Sequence, residues 1–365
     1  MKTARDLVRD EVLAMRAYHV PASTGFVKLD AMENPHRLPV ALAREMGERL
    51  SQVAINRYPD PGMEPLKVRI RDALDIPAAL PMVLGNGSDE LIQMLSLALA
   101  RPGAVVLAPE PSFVMYRMSA VVAGMRYEGV PLRADFTLDL EAMLAAIERH
   151  KPALTWLAYP NNPSGNLFPR EDVLRIVAAS PGLVVVDEAY FPFSAGATLL
   201  EEVGRHPNLL LLRTLSKLGL AGLRLGFAVG PADWMAELEK LRPPYNVNVL
   251  TAAAAEVVLS RPDVLARQAA DIVAERSRVQ QALDAIPALA RFPSAANFVL
   301  VRVDASYPGG APAVFEALRS RAILVKTLHG IHPHLAHCLR LTIGTADENA
   351  TLLEALASIL GPSHA

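Results

Sequence analysis

The sequence has little cysteine and almost no net charge, and each shortage excludes a class of protein. Its single cysteine, Cys338, excludes an internal disulfide framework and fits a reducing compartment. The 36 basic residues nearly balance the 38 acidic ones, so a net charge of -2 creates no overall attraction to nucleic acid or to anionic membranes. Any recognition of phosphate must therefore be local.

Long apolar runs are also missing. No run approaches the roughly eighteen uncharged apolar residues that a membrane span requires. Residues 1–20 mix charges of both signs and contain no apolar core of the kind found in a signal peptide. We therefore expect a cytoplasmic protein.

What the chain does have is length and a high apolar content. Its 365 residues, 52% of them hydrophobic, exceed the roughly 100 to 200 residues of one domain and can bury a large sheet. We expect an N-terminal arm that includes part of a small domain (1–39), a large domain (40–261) and a small α+β domain (262–365).

Within the large domain, apolar runs alternate with helical stretches, which is typical of a parallel sheet covered on both faces. Strand-like runs lie at 155–159, 183–190 and 209–212. Another run, 225–229, follows after a link of about a dozen residues, which is at the lower limit of what a parallel crossover needs. We therefore predict that this last strand is antiparallel to its predecessor.

Polar residues follow three of these runs or end them: Asn162, Asp187 and Lys217. The carboxyl ends of parallel strands meet at one edge of the sheet, where open α/β sheets bind ligands. Asp187 follows three valines, so we expect it to be at least partly buried and to need a cationic or hydrogen-bond-donating partner. A structural ion pair with a nearby arginine is the alternative interpretation.

Lys217 lies in a loop with two hydroxyl groups and an arginine, from Thr214, Ser216 and Arg224. These donors suit a bound phosphate and leave the lysine amine available to form a Schiff base. Taken alone, the loop favours the alternative interpretation, an ordinary solvated lysine, because most lysines lie at the surface.

A second glycine-containing turn, GNGSDE at 85–90, precedes an apolar helix. Gly85 and Gly87 permit a tight turn, and Ser88 is expected to cap the helix, whose free N–H groups form an anion site. The turn also resembles a truncated dinucleotide fingerprint. Further along, Phe113 follows a strand and two prolines, where an aromatic ring can pack against a flat cofactor or against the protein itself.

Short motifs extend over nearly the whole chain. They are LDAMENP with Asn34, RYPD with Tyr58, GNGSDE (85–90), PNNPSG (160–165), DEAY (187–190), TLSK (214–217), AGLRLGF (221–227), ANF (296–298) and LRLTIGT (339–345). In content and order they resemble the aminotransferases of the aspartate aminotransferase fold, and most closely the histidinol-phosphate aminotransferases. The resemblance implies the type I fold of pyridoxal-phosphate enzymes. Its large domain has a mostly parallel seven-stranded sheet with one antiparallel strand, covered by helices, and its smaller domain is α+β.

The resemblance also implies pyridoxal 5′-phosphate as the cofactor and Lys217, Asp187 and Tyr190 as catalytic residues. Lys217 would bind the cofactor and move a proton at the substrate, while Asp187 would keep the ring nitrogen protonated. Asn162 and Tyr190 would hydrogen-bond the ring hydroxyl oxygen. The remaining contacts would come from Phe113 and Ala189 on the two ring faces, and from Ser88, Asp89, Thr214, Ser216 and Arg224 around the phosphate.

By the same resemblance the protein is a homodimer, in which Tyr58 reaches the cofactor phosphate of the partner subunit. The implied reaction moves an amino group between L-histidinol phosphate and 2-oxoglutarate, giving imidazole acetol phosphate and L-glutamate in histidine biosynthesis. The expected substrate contacts are Tyr18, Asn34, Asn297, Lys326 and Arg340.

Two departures from the family pattern affect these expectations. The loop after Lys217 is shorter than in the family, which makes the placement of Arg224 less secure. Lys326 stands where the family often has an arginine, so the charge is kept without the bidentate fork. A solvated lysine at a strand end is the alternative interpretation of Lys326, whereas Arg340 matches the family's arginine for the substrate anion.

Other functions share part of this pattern. A decarboxylase acting on phosphorylated threonine, or an aromatic amino acid aminotransferase, would share nearly all the motifs. A nicotinamide-dependent dehydrogenase would explain GNGSDE but would give Lys217 no function. A non-catalytic pyridoxal-binding regulator would need an added DNA-binding segment. The histidines at 329, 332, 334 and 337, next to Cys338, suggest a metal site, but their spacing matches no known zinc pattern. We therefore expect no metal.

Overall fold

The computed structural model describes residues 2–17 and 22–361. Its strands are β1 Val27–Leu29, β2 Met82–Gly85, β3 Val105–Glu110, β4 Arg126–Pro131, β5 Leu154–Ala158, β6 Leu183–Asp187, β7 Leu209–Thr214, β8 Gly226–Val229, β9 Leu289–Arg291, β10 Phe298–Val303, β11 Ile323–Thr327 and β12 Cys338–Thr342. Its helices are α1 Ala4–Leu7, α2 Asp10–Leu13, α3 Val40–Ser51, α4 Glu64–Leu74, α5 Ser88–Leu99, α6 Val114–Val122, α7 Leu140–His150, α8 Arg170–Ala179, α9 Ala232–Leu241, α10 Val249–Leu259, α11 Pro262–Asp284, α12 Gly310–Arg319 and α13 Ala346–Leu360.

Strands β2 to β8 form a seven-stranded sheet in the order β2-β8-β7-β6-β5-β3-β4. Strand β8 pairs antiparallel with both of its neighbours, and all other pairs in this sheet are parallel. The short link between β7 and β8 leaves no room for a crossover helix, so the predicted antiparallel strand is confirmed. The predicted α/β class and mostly parallel sheet are confirmed with it.

Helices cover both faces of this sheet, and the side chains of β6 show why its sequence is apolar throughout. Val184 and Val186 point into one core with α4, α7, α8 and α10, whereas Val185 points into another with α5, α6 and α9. Each buried valine contributes about 1.5–3 kcal/mol relative to exposure. An apolar run without alternation is therefore what a doubly covered strand requires.

The other strands form a five-stranded sheet in the order β1-β11-β12-β10-β9. One face packs on α11, α12 and α13. Strand β1 pairs parallel with β11, which joins 27–29 to the C-terminal part of the chain. This pairing supports the assignment of part of the first 39 residues to the small domain, and the boundaries at 40 and 262 stay predictions.

The sequence pattern of residues 4–17 predicts one short amphipathic helix, and this prediction is wrong. The extended residues Val8 and Arg9 separate α1 from α2. The Arg9 guanidinium donates to the carbonyl oxygen of Val122 at 2.6 Å, so a contact with α6 competes with the local helical pattern. Within the described residues, none of the helices has the length and apolar character needed to cross a membrane.

Candidate active site

A cavity of about 120 Å³ lies at the carboxyl ends of β5, β6 and β7. It is lined by Met32, Ser88, Asp89, Phe113, Tyr116, Ala158, Pro160, Asn162, Asp187, Ala189, Tyr190, Thr214, Ser216, Lys217 and Arg224. Every residue expected to contact the cofactor is in this set except Tyr58. Residues far apart in sequence therefore converge because their strands end at the same sheet edge.

Lys217 follows β7 in a single turn of 3-10 helix, Ser216–Leu218. Gly219 ends the turn with φ of 99°, a conformation that favours glycine. The Lys217 amine donates to the carbonyl oxygen of Ala31 at 3.3 Å. Removal from water lowers the pKa of Lys217 to about 8, and the positive charge of Arg340 acts in the same direction. The lysine is therefore far easier to deprotonate than a solvated one.

Asp187 is the last residue of β6, and its carboxylate is buried. One oxygen accepts a hydrogen bond of 2.7 Å from the Tyr116 hydroxyl, and the other accepts from the Ala189 N–H at 3.1 Å. Burial raises the pKa of Asp187 to about 6, although both hydrogen bonds act to lower it. The donor partner expected from the sequence is therefore a tyrosine.

The buried ion pair considered for Asp187 is formed instead by the next residue. Glu188 accepts two hydrogen bonds from Arg213, at 2.9 and 3.0 Å, and both side chains are almost completely buried. The Arg213 guanidinium also lies 3.8 Å from the ring centre of Phe191. This pair joins the ends of β6 and β7 beside the cavity.

An anion site is built around the first turn of α5. Gly87, with φ of 83°, occupies the N-cap position and Ser88 is the first helical residue, so the expectation that Ser88 caps the helix is wrong. Arg224 lies across this turn and donates to Asp89 at 3.1 Å. The positive φ of Gly87 favours glycine, and a Cβ atom there would also come within 2.7 Å of the Arg224 guanidinium and displace it from the turn.

Two hydroxyl groups complete this side of the cavity. The Thr214 hydroxyl donates to the Ser216 hydroxyl at 2.8 Å and accepts from the Ser216 N–H at 3.1 Å. The shorter loop after Lys217 therefore still places Arg224 with both hydroxyls and the helix N-terminus at one cavity. Such a set of donors suits a phosphate.

On another side of the cavity, Asn162 donates to the Tyr190 hydroxyl at 3.2 Å and accepts from Arg340 at 2.7 Å. Phe113 meets the ring of Tyr116 edge-on, with 5.6 Å between the ring centres. Asn162 thus links the cavity to the small sheet through Arg340 on β12.

A second cavity, of about 190 Å³, shares Met32, Phe113 and Asn162 with the first and also contains Lys326 and Arg340. Lys326 and Arg340 are directly paired across β11 and β12. Burial lowers the pKa of Lys326, and the charge of Arg340 lowers it further. The two expected substrate cations are therefore neighbours beside the cofactor cavity.

The other expected substrate contacts are placed differently. Asn297 is buried and donates to the carbonyl oxygen of Met32 at 2.9 Å, while Asn34 donates to Gln268 at 3.1 Å. Neither asparagine lines the two cavities, so their direct contact with substrate stays a prediction. Tyr18 lies outside the described residues.

Tyr58 does not line the cavity of its own chain. Its side chain is 79% exposed, and its ring stacks on that of Tyr245 with 4.5 Å between the ring centres. The stack holds the tyrosine in a defined orientation on the surface.

Four residues that line the cavity are not among those expected from the sequence: Met32, Tyr116, Ala158 and Pro160. Tyr116 lies in the same stretch as Phe113, PEPSFVMY, beyond the end of a strand, and this position could have indicated it. Met32 has φ of 55°, and its N–H donates to Thr342, its carbonyl accepts from Asn297 and its sulfur accepts from Tyr190. Met32 lies within the motif LDAMENP, but its three contacts are distant in sequence, so the motif alone gives it no role.

The histidines at 329–337 make contacts of their own. His329 accepts from the His337 N–H, and His332 accepts from the His334 N–H, both at 3.1 Å. Across the part of the chain that the structure describes, no group of three or more histidine, cysteine or acidic residues could hold a metal ion.

Comparisons with known proteins agree with this arrangement. The model of the family "Aminotransferase class I and II" matches residues 24–356. The chain is 57% identical over 354 residues to the histidinol-phosphate aminotransferase of Chromobacterium violaceum, covering 97% of this chain and 98% of that one. It is 55% identical over 357 residues to histidinol-phosphate aminotransferase 2 of Burkholderia pseudomallei, covering 98% and 99%.

The fold is also similar to solved structures. The histidinol-phosphate aminotransferase of Sinorhizobium meliloti, in complex with pyridoxal-5′-phosphate, superposes with a TM-score of 0.86 and 26% identity. The match covers 97% of each chain. The similarity therefore includes both sheets and the cavity between them.

Proposed function

This chain belongs to the class I and II aminotransferases, within them to the histidinol-phosphate aminotransferases, and we propose that it moves an amino group between L-histidinol phosphate and 2-oxoglutarate. The products are imidazole acetol phosphate and L-glutamate, and the reaction serves histidine biosynthesis. The observation that carries the proposal is the convergence of all the expected cofactor residues except Tyr58 on one cavity.

Pyridoxal 5′-phosphate is the proposed cofactor, because the cavity fits its three chemical parts. Lys217 offers an amine to the aldehyde, and Arg224 with the first turn of α5 offers donors to the phosphate. Asp187 is a buried carboxylate, and no ion pair within 2–17 and 22–361 includes it. A protonated ring nitrogen would supply the positive partner that a buried carboxylate requires.

When bound, pyridoxal phosphate supplies an electron sink for the negative charge that develops at the substrate Cα. Lys217 moves the proton: with a pKa of about 8, a useful fraction of its amine is neutral near physiological pH and can accept the proton from Cα. Asp187 would stabilise the positive charge on the ring nitrogen. Asn162 and Tyr190 would provide hydrogen bonds on the side of the cavity that faces Arg340.

The substrate anion is proposed to bind at Arg340 with help from Lys326. The two cations repel each other across β11 and β12, and an anion between them offsets this repulsion. The guanidinium fork can bind a carboxylate or a phosphate, so one arginine serves both substrates. The charge of Lys326 favours the more highly charged phosphate.

A homodimer is proposed because the surface around Tyr58 has the character of an interface. Tyr58 stacks on Tyr245, and the neighbouring Pro59 lines one surface cavity with residues of α3 and α10. Ile55, three positions before Tyr58, is 75% exposed, and Leu250 at the start of α10 is 43% exposed. Clustered exposed aromatic and aliphatic groups mark interaction sites. In the dimer, Tyr58 would complete the phosphate site of the partner subunit.

A cytoplasmic location is proposed as well. It is supported by the single cysteine, Cys338, which is buried and free, and by the small net charge.

The experiment that tests the reaction incubates the enzyme, pyridoxal phosphate and 2-oxoglutarate with L-histidinol phosphate, and in parallel with threonine phosphate. We expect one glutamate for each histidinol phosphate consumed and no carbon dioxide from threonine phosphate. Carbon dioxide without glutamate would establish the decarboxylase instead. Histidinol phosphate has no carboxylate to lose, so the two reactions cannot be confused.

A further inference from the structure

We propose that Tyr116 is a positioning residue for Asp187, whose hydroxyl orients the carboxylate toward the ring nitrogen of bound pyridoxal phosphate. This inference rests on the proposed function. It assigns a task to a buried tyrosine that no matched motif includes.

The position of the Tyr116 hydroxyl is set by the packing of its ring. Tyr116 is completely buried on α6, and its ring stacks on Trp156 with 4.7 Å between centres and 3° between planes. Trp156 is itself completely buried on β5. Since neither ring can move without opening the core, packing sets the position of the hydroxyl 2.7 Å from the Asp187 oxygen.

The hydroxyl is also the one side-chain donor that this carboxylate has among the hydrogen bonds of the described residues. The Ala189 N–H binds the other oxygen, so donors from two different elements hold the two oxygens and fix the plane of the carboxylate. The charges of Asp89 and Glu188 oppose ionisation of Asp187, and the Tyr116 hydrogen bond favours it.

Removing the hydroxyl should therefore weaken cofactor binding, and the size of this loss of affinity should depend on pH. The probe is pyridoxamine 5′-phosphate, which has the ring nitrogen and phosphate but no aldehyde to react with Lys217. Its dissociation constant is measured by the fluorescence of Trp156 in cofactor-free Trp234→Phe enzyme, since the chain has two tryptophans. In that enzyme, binding should tighten as the pH rises through about 6, where Asp187 ionises.

Tyr116→Phe keeps the stack on Trp156 and the edge contact with Phe113. We expect it to bind the probe about 10- to 100-fold more weakly near pH 7, the range for a lost hydrogen bond to a charged group. The pH at which binding tightens should move upward, because the ionised carboxylate has lost a donor. Tyr116→His, which keeps a ring N–H donor, should recover part of the affinity.

Tyr159→Phe is the matched control. Tyr159 is also a buried tyrosine, and its backbone N–H, which the substitution retains, donates to the Asp187 carbonyl at 2.8 Å. This variant should bind the probe as the parent enzyme does. In an Asp187→Asn background, Tyr116→Phe should add little further loss, whereas a purely structural role would give the same loss in both backgrounds.

The outcomes separate the two proposals. If the parent enzyme fails to bind pyridoxamine phosphate, the proposed function fails. If the parent binds it and Tyr116→Phe binds it equally well with the same pH dependence, the positioning role is overturned. A histidine variant as weak as the phenylalanine variant, or an equal loss in the Asp187→Asn background, also contradicts that role.

Discussion

Arg340 donates a hydrogen bond of 2.7 Å to the side-chain oxygen of Asn162. Arg340 lies on β12 of the small sheet, and Asn162 follows β5 of the large one, so the bond joins the two sheets at the cavity. The same amide donates to the Tyr190 hydroxyl. An anion that binds Arg340 would therefore act on Asn162, which also contacts Tyr190, one of the proposed catalytic residues.

Arg340 should tune the proton affinity of Lys217. Arg340→Gln removes a positive charge that lowers the pKa of Lys217, so this pKa should rise above about 8. The measurement is the rate at which pyridoxal phosphate attaches to cofactor-free enzyme as a function of pH. The rate should increase with the neutral amine, and its midpoint should lie at higher pH in the variant.

Lys240→Gln provides the control for that shift, because it removes an exposed cation that pairs with Glu237 on α9. The control should leave the midpoint unchanged. A midpoint that is equal or lower in Arg340→Gln would contradict the electrostatic link.

Asp187 should make the cofactor-free protein less stable as the pH rises. Its folded pKa of about 6 exceeds the ordinary 3.8, so the folded state binds more protons between these values. The protonated Asp187 carboxyl group therefore stabilises the folded state at low pH, and this contribution is lost as the pH rises from about 4 to 6. Relative to wild type, Asp187→Asn should gain on the order of 2–3 kcal/mol in free energy of unfolding from pH 4 to 7.

Urea unfolding of both cofactor-free proteins at several pH values measures this difference. Asp263→Asn is a control of opposite sign: its arginine partner Arg261 lowers the pKa of that carboxyl, so the wild-type side chain stabilises at higher pH. If the free energies of unfolding of Asp187→Asn and wild type differ by the same amount at every pH, the pKa of Asp187 is not raised in the folded protein.

The central strands of the large sheet and the edge that carries the cavity could be predicted because local patterns encode them. The valines before Asp187 and the leucines before Thr214 predict strands that are buried on both faces of the sheet. The polar residues at the ends of these strands indicate the edge where a ligand binds. The antiparallel direction of β8 followed from loop length alone.

Contacts between distant segments could not be predicted in this way. Tyr116 and Asp187 are 71 positions apart, and only the packing of α6 on the sheet brings them together. The backbone of Met32 is held by side chains from β12 and from the turn before β10. The split of the N-terminal helix by Arg9 has the same origin, since a contact with α6 outweighs local propensity.

Tyr58 should act across the proposed dimer interface. Mixing a Tyr58→Phe subunit with a Lys217→Ala subunit creates heterodimers in which one of the two sites escapes both lesions. We expect activity to recover to a fraction of wild type, because that site contains an intact lysine and an intact partner tyrosine. Each variant alone serves as the baseline, and no recovery after proven subunit exchange would place Tyr58 in its own chain's site.

Lys326 should distinguish the phosphate substrate from the carboxylate substrate. Lys326→Ala should lower kcat/KM for histidinol phosphate by about 10- to 100-fold, the range for a charged hydrogen bond, and affect glutamate much less. Lys326→Arg, which keeps the charge, should retain most of the activity. Arg340→Ala should damage both half-reactions. Equal losses for the two substrates in Lys326→Ala would show that this lysine does not distinguish them, and no loss for either would show that it is only solvated.

The assignment of the substrate is tested most directly by the kcat/KM of the wild-type enzyme for a panel of amino donors with 2-oxoglutarate. The panel contains L-histidinol phosphate, L-histidinol without the phosphate, L-phenylalanine and L-tyrosine. Because Arg340 and Lys326 lie side by side at the substrate cavity, histidinol phosphate should exceed every other donor by at least about tenfold, the effect of one charged contact. A higher kcat/KM for the free aromatic amino acids would contradict the account and leave an aromatic amino acid aminotransferase in its place.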